Sequence, residues 1–171
     1  MEKFNFSLKT LAVVLTLGSA MTMVSCSSEK EVVDYGSIEV CDVSNADCFD
    51  PSEKMEDGKF PKTELRLTLG DGGVVDARLN NFLVNCDFGF ISVDKMAGEN
   101  ELMLVAYEHG IAANCMCMTD VSFKLRNVAE GTCRLRVFRG NTTGTPIGNE
   151  AAFEGEVTLR KGHAAVVTFD L

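Results

Sequence analysis

Tryptophan is absent from this 171-residue chain, tyrosine occurs only at Tyr35 and Tyr107, and histidine only at His109 and His163. The chain has 11 Phe, but with Trp absent and Tyr so scarce no aromatic platform is evident in the sequence. Positive charge is also scarce, with 16 Lys+Arg against 25 Asp+Glu and a net charge of −9. A chain of that sign repels phosphate, which argues against nucleic acid as a partner. Three prolines and 15 glycines exclude a collagen-like or low-complexity chain. No apolar run reaches the ~20 residues that a bilayer-spanning helix needs. Catalytic signatures are missing too: there is no Gly-x-Ser-x-Gly, no His-Glu-x-x-His, no P-loop and no dinucleotide fingerprint. Carboxylates are numerous enough for an acid pair of glycosidase type, but the chain is small for such an enzyme. The expectation is a non-enzymatic protein with no cofactor. Apolar content of 46% with 24% charged residues is that of an ordinary globular domain.

What the chain has in excess is cysteine. There are seven, an odd number, so one thiol has no intrachain partner. The N-terminus offers a use for it. Lys3 and Lys9 precede the apolar run Leu11–Leu17, and small residues follow, which is the pattern of a secretory signal peptide. That pattern ends in Met23-Val24-Ser25-Cys26, which resembles a bacterial lipobox. The resemblance implies cleavage before Cys26 and attachment of a diacylglycerol, with acyl chains such as palmitate, to its thiol. Several acyl chains on one residue anchor a protein stably where one alone does not. Residues 1–25 are thus read as a lipoprotein signal peptide, 26–35 as a polar tether and 36–171 as the folded domain. Removal of the first 25 residues leaves 146 and a net charge of −10. The Ser/Glu run after Cys26 also resembles the surface-export signal of Bacteroidota lipoproteins. The expected location is the outer membrane, facing the periplasm or the cell surface, with the lipid as the membrane contact and an envelope protein or glycan as partner.

Beyond Thr63 the sequence alternates with period two, the signature of half-buried strands. Leu65, Leu67 and Leu69 alternate with Glu64, Arg66 and Thr68; Gly70-Asp71-Gly72-Gly73 turns the chain; Val75, Ala77 and Leu79 resume the pattern. Phe82–Cys86 and Phe88–Val93 read as two further short runs, and Leu102–Tyr107 as a buried strand. Cys117, Thr119, Val121, Phe123 and Leu125 share one face of the next strand, and a turn at Val128–Gly131 leads to Cys133, Leu135 and Val137 as its hairpin partner. A polar loop (Arg139–Glu150), a strand through Phe153, Val157 and Leu159, a turn at Arg160–His163 and a strand through Ala165, Val167 and Phe169 complete the pattern. About eight strands and no helical period predict an all-β domain. The favoured form is a two-layer antiparallel sandwich, immunoglobulin-like or similar, with a barrel as the alternative. Residues 43–62, rich in Asp and Glu, read as an irregular acidic loop.

The densest chemistry is Cys115-Met116-Cys117-Met118, with His109 six residues upstream of Cys115. Soft sulfur ligands suit Cu(I) or Zn(II), so Cys115, Cys117, His109, Met116 and Met118 form an alternative metal set. Strand alternation opposes it, because Cys115 and Cys117 point one way and Met116 and Met118 the other. A redox-active Cys-x-Cys is a further reading. Export favours disulfides instead. Cys41, Cys48, Cys86, Cys115, Cys117 and Cys133 allow 15 connectivities. Cys86 to Cys115 or Cys117 is the preferred long-range bridge, Cys41 with Cys48 can close a small loop, and the hairpin disfavours Cys117–Cys133. Asp71-Gly72-Gly73 and the 43–57 loop lack EF-hand spacing for Ca²⁺.

Asn85-Cys86, then Cys115-Met116-Cys117-Met118-Thr119-Asp120-Val121-Ser122-Phe123, then Val167, Phe169 and Leu171, follow the pattern N-C … C-x-C-x-x-D-[VL]-x-[FY]. This resembles a group of small Bacteroidota lipoproteins across residues 62–171. The resemblance implies a lipid-anchored β domain and adds no activity.

Overall fold

The computed structural model describes residues 34–170, except 97, 99–100 and 112. The predicted signal peptide, Cys26 and most of the tether therefore lie outside the described residues. Nine strands are present: β1 (Glu39–Asn45), β2 (Thr63–Leu69), β3 (Val75–Asn85), β4 (Phe88–Met96), β5 (Glu101–Gly110), β6 (Met116–Arg126), β7 (Gly131–Arg139), β8 (Phe153–Leu159) and β9 (Ala164–Phe169). They form a five-stranded sheet in the order β1-β6-β3-β2-β9 and a four-stranded sheet in the order β4-β5-β7-β8. The fold is an all-β sandwich, as the alternation predicts, and the two separate ladders are not a barrel. Among the described residues no helix is long and apolar enough to cross a membrane.

The alternating residues meet between the sheets. Leu65, Leu67, Val75, Leu79, Leu104, Val121, Leu125, Leu135 and Leu159 are each no more than 2% exposed within one contiguous core. The β2–β3 hairpin forms where expected. Gly73 takes φ +71, and a Cβ there would meet the Val128 carbonyl oxygen at 2.9 Å, so this turn needs glycine for both conformation and space.

Four features depart from expectation. First, Val75–Asn85 is one strand, not two. Its buried residues are odd-numbered up to Leu79 and even-numbered from Phe82, because a bulge between Leu79 and Phe82 reverses the phase. Asn81 sits in that bulge at φ 56, a conformation Asn tolerates better than most residues. Second, the β6–β7 turn is not a hairpin within one sheet: Asn127, at φ 61, helps turn the chain from one layer to the other. Third, β5 and β7 pair in parallel, so the four-stranded sheet is mixed. Strand β5 is buried on both faces, which explains its continuous apolar run. Leu102, Leu104 and Ala106 enter the main core, while Val105 and Tyr107 join Phe138 in a smaller cluster on the outer face. Fourth, the predicted 43–62 loop begins within a strand, since β1 extends to Asn45 and pairs with β6.

Candidate functional site

The cysteine-rich segment is a brace. Cys86 bridges Cys115, the preferred long-range pair, with Cα atoms 5.6 Å apart. Cys117 bridges Cys48 across 5.8 Å. Both separations are ordinary for a disulfide. The expected Cys41–Cys48 loop does not form. Cys41 lies opposite Lys124, seven positions along β6 from the Cys117 that holds Cys48. At ~3.3 Å per residue that is a separation of about 23 Å. Cys41 and Cys133 remain thiols. Cys133 points into the core, where burial pushes its thiol pKa up and holds it in the neutral, unreactive form.

This pairing also bears on the alternative metal set. The sulfurs of Cys115 and Cys117 are both oxidised, so neither offers a thiolate. Met118 is 1% exposed, and Met116 is 40% exposed to solvent. His109 is engaged elsewhere. Its Nε2 lies 2.9 Å from Ser92 Oγ, and its ring stacks on Phe90 at 4.1 Å. Among the described residues no three His, Cys, Asp or Glu side chains are grouped to hold an ion.

The other residues of the Cys-x-Cys-x-x-Asp pattern are structural too. The Asp120 carboxylate accepts the Asn81 backbone N–H at 2.9 Å, satisfying the β3 bulge. Thr119, fully buried, donates its hydroxyl to the Ala46 carbonyl at 2.7 Å. Asn85 donates its backbone and side-chain N–H groups to the two oxygens of Glu108, at 2.7 and 2.6 Å, tying the end of β3 to β5. Arg139 sits beside the same carboxylate at 3.7 Å.

The Thr119 bond to Ala46 marks the start of an arm, residues 46–62, held against the five-stranded sheet. Phe49 exchanges backbone hydrogen bonds with Met118 at 2.9 and 3.0 Å, and the Cys48–Cys117 bridge is adjacent. Asp50 caps a 3₁₀ turn at Pro51–Lys54 by accepting the Ser52 N–H at 2.8 Å; this bond holds its carboxyl below the usual range. Lys54 lies 4.1 Å over the Phe49 ring and donates to Asn81 Oδ1 at 3.2 Å. Beyond it a tight turn, with Asp57 at φ 51 and Gly58 at φ 71, brings Lys59 back to pair with Glu56.

Two cavities flank this turn. One, of about 430 Å³, is lined by Lys54, Glu56, Asp57 and Lys59–Lys62. The other, of about 360 Å³, lies where Gly58–Pro61 approaches Leu83, Met118 and Asp170. Lys59, Phe60 and Pro61 line both, and Phe60 is 54% exposed. Both are open to solvent along one side, grooves on the surface and not enclosed pockets. Sequence reasoning placed this segment in a solvated acidic loop and missed it. The available signal was one aromatic set among Lys59, Pro61 and Lys62 in an otherwise polar stretch.

The face around His109 is a second assembly that the sequence did not show. Phe90, Ser92 and Asp94 on β4 stand beside His109 and Tyr107 on β5, because both strands turn alternate side chains to the same outer face. The Tyr107 hydroxyl donates to Asp94 at 2.7 Å, and that bond pushes the phenol pKa up from 10.0. Asp94 is thereby paired with Tyr107, and among the described residues no carboxylate is hydrogen-bonded to His109. No family model, curated protein or solved structure matches this chain.

Proposed function

We propose that the chain is a lipid-anchored protein of the bacterial cell envelope that works by binding or assembly, not by catalysis. The anchor rests on the Met23–Cys26 lipobox and the basic, then apolar, residues before it. The binding reading is carried by one observation: the disulfide-braced arm leaves Phe60 exposed between two cavities. An aromatic ring held on a braced segment is a pre-organised anchor, and it loses little freedom when a partner covers it. Lys54, Lys59 and Lys62 stand beside it together with Glu56, Asp57 and Asp170, a lining of mixed charge that suits polar groups on an envelope protein or glycan.

Two experiments address the two parts. Metabolic palmitate labelling and membrane fractionation of wild type and Cys26→Ser test the anchor; a Cys26→Ser chain that still labels and pellets with membranes rejects it. For binding, envelope fractions pre-treated with protease or with glycosidases are compared for retention of wild type and Phe60→Ala. Retention that falls with Phe60→Ala supports the arm as the contact, and the treatment that abolishes it names the partner class. Equal retention of the two chains removes Phe60 from the contact. Protease shaving of intact cells tests surface exposure, which an uncut chain would contradict.

A further inference from the structure

Each sheet has two edges. An edge strand presents unpaired N–H and C=O groups, which proteins blunt with charge, proline, bulges or cover. Three of the four edges here are blunted. Strand β1 carries Glu39 and Asp42 and loses register between Cys41 and Ser44, with Asp42 at φ 55. Strand β4 carries Asp94 and Lys95, loses register between Phe88 and Phe90, and has its Ile91 N–H taken by the Asn45 side chain at 3.2 Å. Strand β8 sets the acids Glu154 and Glu156 on its solvent face.

Strand β9 has none of these devices. Its sequence, Ala-Ala-Val-Val-Thr-Phe, contains no charge and no proline. Its register with β2 runs unbroken from Thr63↔Phe169 to Thr68↔Ala164. Ala164, Val166 and Thr168 are exposed, Val166 by 43%. On the inner side Ala165 and Val167 are only half-buried at the rim of the core. Among the described residues no strand pairs with the far side of β9.

We propose that β9 is a strand-pairing surface and that its occupant is a second copy of this chain, joined β9 to β9 about a two-fold axis. The strand meets its own requirements. With the axis at Val166, antiparallel pairing sets Val166 against itself, Ala165 of one copy against Val167 of the other, and Ala164 against Thr168. The inner residues stay on the inner side and no like charges meet within the strand. Beyond the strand ends, the antiparallel arrangement brings Gly162, flanked by Lys161 and His163, opposite Asp170; within one copy Asp170 pairs with Lys62 at 3.3 Å and Lys161 with Asp71, both on the exposed surface where such pairs exchange partners at little cost. The contact is isologous, closes after two copies and makes one continuous ten-stranded sheet. This pairing needs no ligand; it meets the arm only at Asp170, which pairs with Lys62.

The test is sedimentation equilibrium of the full chain in density-matched detergent, with free thiols alkylated so that Cys41 cannot cross-link copies. The range runs from low micromolar to about 100 µM. The expected wild-type result is a concentration-dependent doubling of mass. Val166→Lys places two lysines face to face at the axis and is expected to weaken the dimer at least about tenfold. Val166→Thr keeps an uncharged β-former and is expected to retain the dimer. Val166 is already exposed, so its replacement spares the core, which circular dichroism checks. Deuterium uptake at β9 is expected to slow with concentration in wild type and not in Val166→Lys. A single-chain mass throughout, a dimer unchanged by Val166→Lys, or β9 amides equally protected in the monomer would each overturn the proposal.

Discussion

Removal of the arm's disulfide gives the largest measurable consequence of the brace. The double variant Cys48→Ala/Cys117→Ala adds no free thiol beyond Cys41 and Cys133 that could exchange with Cys86 or Cys115. The bridge spans 69 residues, and closing such a loop removes about 4.4 kcal/mol of unfolded-chain entropy at 25 °C. The Cys86–Cys115 bridge spans 29 and is worth about 3.6 kcal/mol alone. The two loops are nested, however. With Cys86–Cys115 closed, the path from Cys48 to Cys117 shortens to roughly 41 residues, and the outer bridge contributes about 3.9 kcal/mol. For roughly 137 ordered residues, with ~2.1 cal/mol/K of unfolding entropy each, that loss lowers Tm by on the order of 14 °C. Urea denaturation of the unreduced variant and wild type is the assay, read at constant m. A loss below about 1 kcal/mol would refute the reasoning, because it would mean that the unfolded chain gains no freedom when the bridge is removed. So would full additivity of the two bridge removals, since nesting requires the second removal to depend on the first.

The two remaining thiols behave differently. Iodoacetamide on the unreduced native protein is expected to modify half-buried Cys41 and spare Cys133, which labels only after unfolding; equal labelling rates would contradict the burial of Cys133 at 7% exposure. Asp120→Ala strips the acceptor from the Asn81 N–H in the β3 bulge and is expected to cost about 1–3 kcal/mol in urea denaturation, with Asp120→Asn costing less. Stability against pH is expected to fall on both flanks. Glu154, held below its usual 4.5 by hydrogen bonding from Arg134, contributes fully above 4.5 and loses that contribution as pH falls through its lowered value; the pair is solvent-exposed, so the effect is small and weakened by salt. Tyr107 and Tyr35, raised from 10.0 by the Asp94 hydrogen bond and by burial respectively, contribute fully below pH 10 and lose this as pH climbs through their raised values. Tyr107→Phe should make the alkaline limb shallower, and an unchanged limb would refute the assignment.

The strand pattern was legible where one face of a strand is core and the other solvent, as in Leu65, Leu67 and Leu69, because the pleat turns that geometry into a period of two. It misled at Leu79–Phe82, where the Asn81 bulge reverses the phase and one strand reads as two. It could not show that the β6–β7 turn changes sheets, since a turn has the same local composition whether its strands pair or part. The cysteines were legible as disulfide formers. Their partners were not, because Cys48 meets Cys117 only when Phe49 pairs with Met118. The face around His109 was equally invisible, since Phe90 and His109 lie 19 positions apart and meet only through the β4–β5 register.

The sequence by itself determined the all-β class and the preference of Cys86 for the Cys115–Cys117 segment, and it is the sole support for the proposal made for Cys26; each depends on local periodicity, composition or short motifs. Only the tertiary structure decided that Cys115 and Cys117 are spent on two different bridges, that Phe60 stands between two cavities and that β9 is the unguarded edge. Each of those facts concerns residues tens of positions apart along the chain, and their proximity follows from how two sheets stack and which strand falls last in each, which no local pattern encodes.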